Sequence, residues 1–196
     1  MEYHKEKHSI DLLKANQFGI RLMLGITALS ILLFYILWQD HFIELFKSLL
    51  PDEKVISVFF AFLKVILYLV FGIIAHELIH GIFWALFAKR GFHSIRFGIL
   101  KKYFTPYCHC KEPLRVKHYI TGAVMPAILL GLVPLIYAFI FGKPGWLLFG
   151  IFFTASAAGD FLMIRLLSKE ARNDWAQDHP AEAGYYIFRK IDESNP

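Results

Sequence analysis

Of the 196 residues, 57% are hydrophobic and 17% aromatic, and only 19% are charged, whereas soluble domains run at about 45–50% apolar and about 25% charged. A single soluble core of this size does not absorb that excess; with a mean hydropathy of +0.48, a bilayer is the natural sink. The net charge of +5 is concentrated in one loop between apolar runs, which reads as a topology signal or contact with anionic lipid and argues against a nucleic-acid partner.

The N-terminus does not read as a cleavable signal. Seventeen mixed-charge residues precede the first apolar run, and no small-residue cleavage site follows it. The first predicted span is about 18–38, with Arg21 placed to snorkel to the headgroups. The second apolar run, 55–88, is too long for one untilted crossing. Its first part, 55–63, reads as interfacial and 65–88 as the crossing part, with Lys64 at the boundary. The third span is about 119–141; Gly122, Pro126, Gly131 and Pro134 predict a kinked or broken helix. The fourth is about 146–167, and the short 142–145 turn makes the last two an antiparallel pair. The expected fold is an all-α integral membrane protein, one membrane domain over 1–196, with four transmembrane helices and a cytosolic tail at 168–196.

Lys and Arg in the loops set the expected orientation. Residues 89–118 hold eight: Lys89, Arg90, Arg96, Lys101, Lys102, Lys111, Arg115 and Lys117, against the single acid Glu112. The 39–54 loop has only Lys47 and Lys54 against four acids. Both termini and the 89–118 loop are therefore expected inside, and the other two loops outside. Trp38, Trp84 and Trp146 read as interfacial anchors, His93 and His118 as headgroup-level loop residues, and Asn173 and Asp178 as solvated tail residues.

The four spans contain two acids, Glu77 and Asp160. An unpaired carboxylate at the membrane centre costs roughly 2.5–3.5 kcal/mol on insertion scales, so each marks a functional site. Glu77 lies in His76-Glu77-Leu78-Ile79-His80. On a helix the i, i+4 spacing puts both imidazoles on one face, one turn apart, where they can share an ion. Glu77 projects about 100° away; it is poorly placed as a ligand but can take a proton from water at the metal. This is the His-Glu-x-x-His pattern of zinc peptidases. A catalytic zinc needs a third protein ligand, and Asp160 is the candidate. The second and fourth spans run the same way, and His80 and Asp160 sit at depths differing by roughly 6 Å. Gly159, with Ala155, Ala157 and Ala158, makes that stretch small-sided enough for close helix approach.

Cys108-His109-Cys110 invites a metal reading, but one Cys-x-Cys cannot close a structural site alone, and the two cysteines offer no disulfide framework.

These residues resemble the site-2 class of intramembrane metalloproteases. More closely, HELIHG at 76–81, Gly159-Asp160 and the spans between them look like a small bacterial membrane family named Putative zincin peptidase. The resemblance covers about 55–170, with a further echo at Asp178-His179-Pro180. It implies that His76, His80 and Asp160 bind zinc, that Glu77 is the general base, and that 92–113 dip back toward the membrane as a short hairpin. It implies an endopeptidase of the bacterial cell membrane, multi-pass with both termini cytoplasmic, acting on membrane-anchored proteins. Two other readings stand beside it: a zinc-binding scaffold or regulator without proteolysis, and a membrane protein whose histidines and acids relay ions. Neither oligomeric state nor substrate is legible.

Overall fold

The computed structural model describes residues 3–9, 12–49, 55–100, 105–179 and 184–190. Lys101, Lys102 and Pro180 fall outside them. In chain order the elements are β1 (Tyr3–Ser9), α1 (Leu12–Leu37), α2 (Gln39–Leu49), α3 (Val55–Ala85), β2 (Ile95–Leu100), β3 (Thr105–Cys110), β4 (Leu114–Arg115), α4 (Val116–Pro126), α5 (Val133–Phe141), α6 (Pro144–Ser156), α7 (Ala158–Leu167), β5 (Trp175–Asp178) and β6 (Gly184–Lys190).

Three helical stretches are long and apolar enough to cross a membrane: Gln17–Leu37, Val58–Ala85 and Val116–Phe141. The pair α6–α7 makes a fourth if counted as one span bent by 45°. Burial separates these helices from the core helices of a soluble protein. The most apolar window of the Val58–Ala85 stretch has a mean hydropathy of 2.6, yet only 6% of it is buried. An exposed apolar surface of that extent needs a non-aqueous solvent.

The second span differs from its sequence reading. It is one helix from Val55 to Ala85, because nothing around Lys64 breaks it. The Lys64 ammonium instead lies 5.8 Å from the Tyr68 ring, one turn on. The helix also stops at Ala85, short of the expected Ala88, and the chain turns through Gly91 at φ +55°, a conformation glycine adopts without strain. The expected 39–54 loop is largely helical, as α2, with Asp40 in its first turn, where a carboxylate meets the positive end of the helix dipole.

The third span bends as its prolines suggest. Between α4 and α5, Ala127–Leu132 form a π-helical segment in which the Val133 N–H reaches back to Ile128 O. The wider turn precedes Pro134, which has no N–H to continue an α-helical ladder. The fourth span breaks at Ala157, between α6 and α7.

Besides the expected hairpin, the all-α expectation is corrected by a four-stranded sheet. β2 and β3 form an antiparallel hairpin, in register from Ile95↔Cys110 to Leu100↔Thr105, inside the segment expected to form one. Glu112 pins its base to the end of α3, accepting from the Lys89 N–H at 2.9 Å and from Arg90 Nε at 2.7 Å. The Arg90 side chain holds the Glu112 carboxyl below its usual range. The second sheet, ordered β1-β6-β5-β4, joins the N-terminal strand, the tail and the approach to α4. β6 drives it by alternation: Tyr185 and Ile187 are buried, and Tyr186 and Phe188 are less so, the period-two pattern of a one-faced strand. Part of the expected tail, 168–196, is therefore sheet.

Two compact units make up the chain: residues 1–18, 77–125 and 159–196, and residues 19–76 and 126–158. The first has a core that includes Trp84, Leu114, Val116, Tyr119, Leu167, Ala176 and Ile187. The second is centred on Phe34, Ala138, Leu147 and Ile151. Within the second, a Cβ on Gly131 would meet Thr154 and one on Gly150 would meet Leu135. Those contacts run in opposite chain directions, as the short turn at 142–143 requires. A close helix approach occurs in the small-sided stretch at Ala158: a Cβ on Gly19 of α1 would lie 3.1 Å from Ala158 Cβ, whereas Gly159 has open space beside it.

Candidate metal centre

The site is built on the last three turns of α3. His76 and His80 are 8% and 4% exposed, and Trp84, another turn on, is 5% exposed. Leu78 and Ile82 between them point outward. A spacing of four keeps the three rings on one stripe of the helix.

Three partners of the His80 ring have traceable causes. Its Nδ1 lies 2.9 Å from Gly122 O; a carbonyl only accepts, so Nδ1 is the protonated nitrogen. In an α-helix that carbonyl would accept from residue 126, but residue 126 is Pro126, which has no N–H. The sequence Gly-x-x-x-Pro thus leaves an acceptor inside α4 for His80. Trp84 stacks on the His80 ring with centroids 5.0 Å apart and planes 13° from parallel. The Trp84 indole donates from Nε1 to Tyr119 O at 3.0 Å. A Cβ on Gly122 would fall 2.2 Å from the indole, so only glycine admits the indole there.

With Nδ1 protonated, the lone pair of neutral His80 is on Nε2. That atom lies 3.3 Å from Asp160 Oδ1, in the first turn of α7. Two acceptors facing each other at this distance repel unless a cation lies between them. A proton would satisfy these two groups, and a metal would draw on a third. His76 supplies it: one ligand atom from each of His76, His80 and Asp160 lies within 4.8 Å of the others. Zinc bonds of about 2.0–2.1 Å put tetrahedral ligand atoms about 3.4 Å apart, close to the His80–Asp160 separation. Two imidazole nitrogens and a carboxylate oxygen are zinc donors. The residues fit a zinc ion, and the Nδ1 hydrogen bond is the outer contact that fixes a metal-binding histidine's tautomer.

The structure thus brings together the three residues that the spacing of His76 and His80 and the matched depth of Asp160 nominate. Glu77, the next residue on α3, is part-buried. Its charge reaches Cys108 on β3: burial first, then Glu77 and Asp178, push the Cys108 thiol up, and burial above all raises Cys110 to about 11. Among the described residues, the histidine–aspartate group is the one cluster able to hold a metal.

Three residues of this surrounding shell are not legible in the sequence reading. Trp84 is a buried ring against His80, not an interfacial anchor. Asp178 is not solvated: its carboxylate accepts from the Tyr119 hydroxyl and, at 3.4 Å, from the Cys110 N–H, and lies 3.4 Å from His109 Nδ1. In the sequence Gly122 reads only as a helix-weakening residue. The continuation of the His76–His80 stripe to Trp84 and the Gly-x-x-x-Pro spacing were the available signals. Asn173 is exposed, as expected.

Apolar helices of membrane-spanning length suggest a membrane protein, and two buried histidines with the part-buried Asp160 form a candidate zinc centre. The chain belongs to the family described as Putative zincin peptidase, whose model matches residues 69–175, more than half of the chain and all of the elements just described except Asp178. That family implies zinc and suggests a metallopeptidase. No curated protein and no solved structure matches the chain.

Proposed function

We propose that this protein is a zinc-dependent intramembrane endopeptidase of the site-2 protease type, cleaving membrane-anchored proteins. The observation that carries the reading is the apposition of His80 Nε2 and Asp160 Oδ1 at 3.3 Å, with His76 in reach, between α3, which is long and apolar enough to cross a bilayer, and α7, which passes that test together with α6.

His76, His80 and Asp160 would hold the ion. A zinc bound there supplies a Lewis acid for the scissile carbonyl and lowers the pKa of water toward 7. Glu77 takes the proton of the attacking water on its carboxylate and returns it to the departing amine. The Gly122 carbonyl keeps His80 in the tautomer that presents Nε2. The apolar surroundings exclude bulk water, which strengthens each of these charge interactions. The substrate enters laterally from the bilayer, and its helix must unwind locally, since a helical peptide bond is shielded by its own hydrogen bonds. The excess of Lys and Arg in 89–118 supports a cell-membrane orientation with both termini cytoplasmic and the site toward the cytosolic side.

Glu77→Gln tests the reading. The variant should retain its metal and lose cleavage of a membrane-anchored substrate by at least about 10²–10⁴-fold, the usual contribution of a general base. Retained cleavage would remove Glu77 from the role. The alternative with an observation of its own is the ion relay, because a protonated His80 beside Asp160 also satisfies the 3.3 Å geometry. Ion flux in liposomes that survives chelation would favour it.

A further inference from the structure

The metal ligands are held by α3 and α7, but the ring that stacks on one of them is braced from the tail. We propose that Asp178 is a positioning residue for the metal centre: through the Tyr119 hydroxyl it fixes the Tyr119–Trp84 pair and thereby the plane of the His80 imidazole. The inference rests on the zinc-binding reading given above and extends it to a residue beyond the family's matched segment, which ends at 175.

The Nδ1 bond to Gly122 anchors the His80 ring at one atom and leaves its tilt to be set by packing. Trp84 sets that tilt by stacking almost parallel to it. Two of the restraints on Trp84 come from Tyr119. Its Nε1 donates to the Tyr119 carbonyl, and the Tyr119 ring packs on the indole at 5.1 Å, tilted 37°. Tyr119 is only 3% exposed. A buried hydroxyl needs a partner from some neighbouring element, and Asp178 provides a charged acceptor.

The tail delivers Asp178 there by ordinary strand pairing. β5 pairs with β4 at Leu114↔Ala176 and Arg115↔Trp175, and β4 runs directly into α4. Gln177 Nε2 donates to Lys111 O at 2.6 Å, which fixes the register one residue before Asp178. The same carboxylate meets the Cys110 N–H and His109 at the end of the hairpin. One side chain therefore ties the tail, the hairpin and α4 at the point where α4 supports the His80 stack.

The competing explanation is that Asp178 merely fastens the tail. Zinc affinity of the full-length protein in detergent, measured against a chelating dye, separates the two, with the visible spectrum of the Co²⁺-loaded protein as a second readout. Tyr119→Phe removes only the hydroxyl and keeps the ring, so it serves even where Asp178→Asn fails to fold. Each variant should weaken zinc binding about tenfold, the lower end of the effect of outer contacts on metal sites, and should shift the Co²⁺ bands. The double variant should be no weaker than either single, since both break one connection. Arg189→Gln, which loosens the same sheet where Arg189 meets Glu170 at 2.7 Å, should leave affinity and spectrum unchanged. Wild-type affinity in Tyr119→Phe, additive losses, or an equal loss in Arg189→Gln would overturn the positioning role alone. A folded wild type that binds no zinc would overturn it together with the metal-site reading.

Discussion

The two halves of α3 share a helix but have opposite surroundings. In the first half, Phe59, Phe60, Phe62, Val65 and Leu67 are all exposed. In the second half, His76, His80 and Trp84 are almost fully buried, each against a named neighbour or within reach of one, while Leu78 and Ile82 still face out. Hydrophobicity alone explains the first half, which needs only an apolar solvent. The second half is specified residue by residue: a carbonyl freed by Pro126, a glycine that admits an indole, and a carboxylate on α7. Tolerance to substitution should therefore change sharply along one helix.

Gly122→Ala should have the largest effect in a comparison of the two halves. The added Cβ would meet Trp84 at 2.2 Å, and overpacking of this kind costs about 1–3 kcal/mol. Thermal unfolding in detergent should show the loss, with zinc affinity falling alongside as the His80 stack is displaced. An unchanged unfolding midpoint would mean that the buried half is looser than described.

Thiol chemistry offers a milder probe of the same region. Cys110 is raised to about 11 and Cys108 also lies above its ordinary value; a free cysteine lies near 8.5. A raised thiol pKa means less reactive thiolate below it, so alkylation at pH 8 should run more than tenfold slower than for an unfolded control. The rate should keep climbing past pH 9, where the control levels off. Rapid alkylation of the native protein at pH 8 would show that water and charge reach β3 more freely than burial implies.

In the first half of α3, Phe60→Ala should shift stability in lipid or detergent by no more than about 0.5 kcal/mol, as expected for a surface position. A loss of several kcal/mol would mean that this face packs on protein.

What the sequence made legible follows the same division. The candidate cluster stands out in the sequence because i, i+4 histidines on a helix point the same way and because Asp160 is one of only two acids in the expected spans. The hairpin lay where the family resemblance implied, and the bend of the third span followed from its prolines. The N-terminal strand was out of reach: Tyr3–Ser9 has no apolar face of its own and pairs with residues 184–190 at the far end of the chain, a long-range contact that no local pattern encodes. Trp84 was misread because an aromatic residue near a span's end usually marks the headgroup level. Here the helix stops at Ala85, and the indole turns onto His80 instead. Asp178 was misread for a related reason, since its partners lie on β3 and α4, far away in the chain.

The central claim is that α3 and α7 together hold one zinc ion. Metal content of the purified full-length protein by mass spectrometry, with His76→Ala and Asp160→Ala alongside, tests it most directly. The account predicts about one zinc per wild-type chain and loss of that zinc in both folded variants. A folded wild type without metal, or an Asp160→Ala protein that keeps its zinc while His76→Ala loses it, would contradict the account.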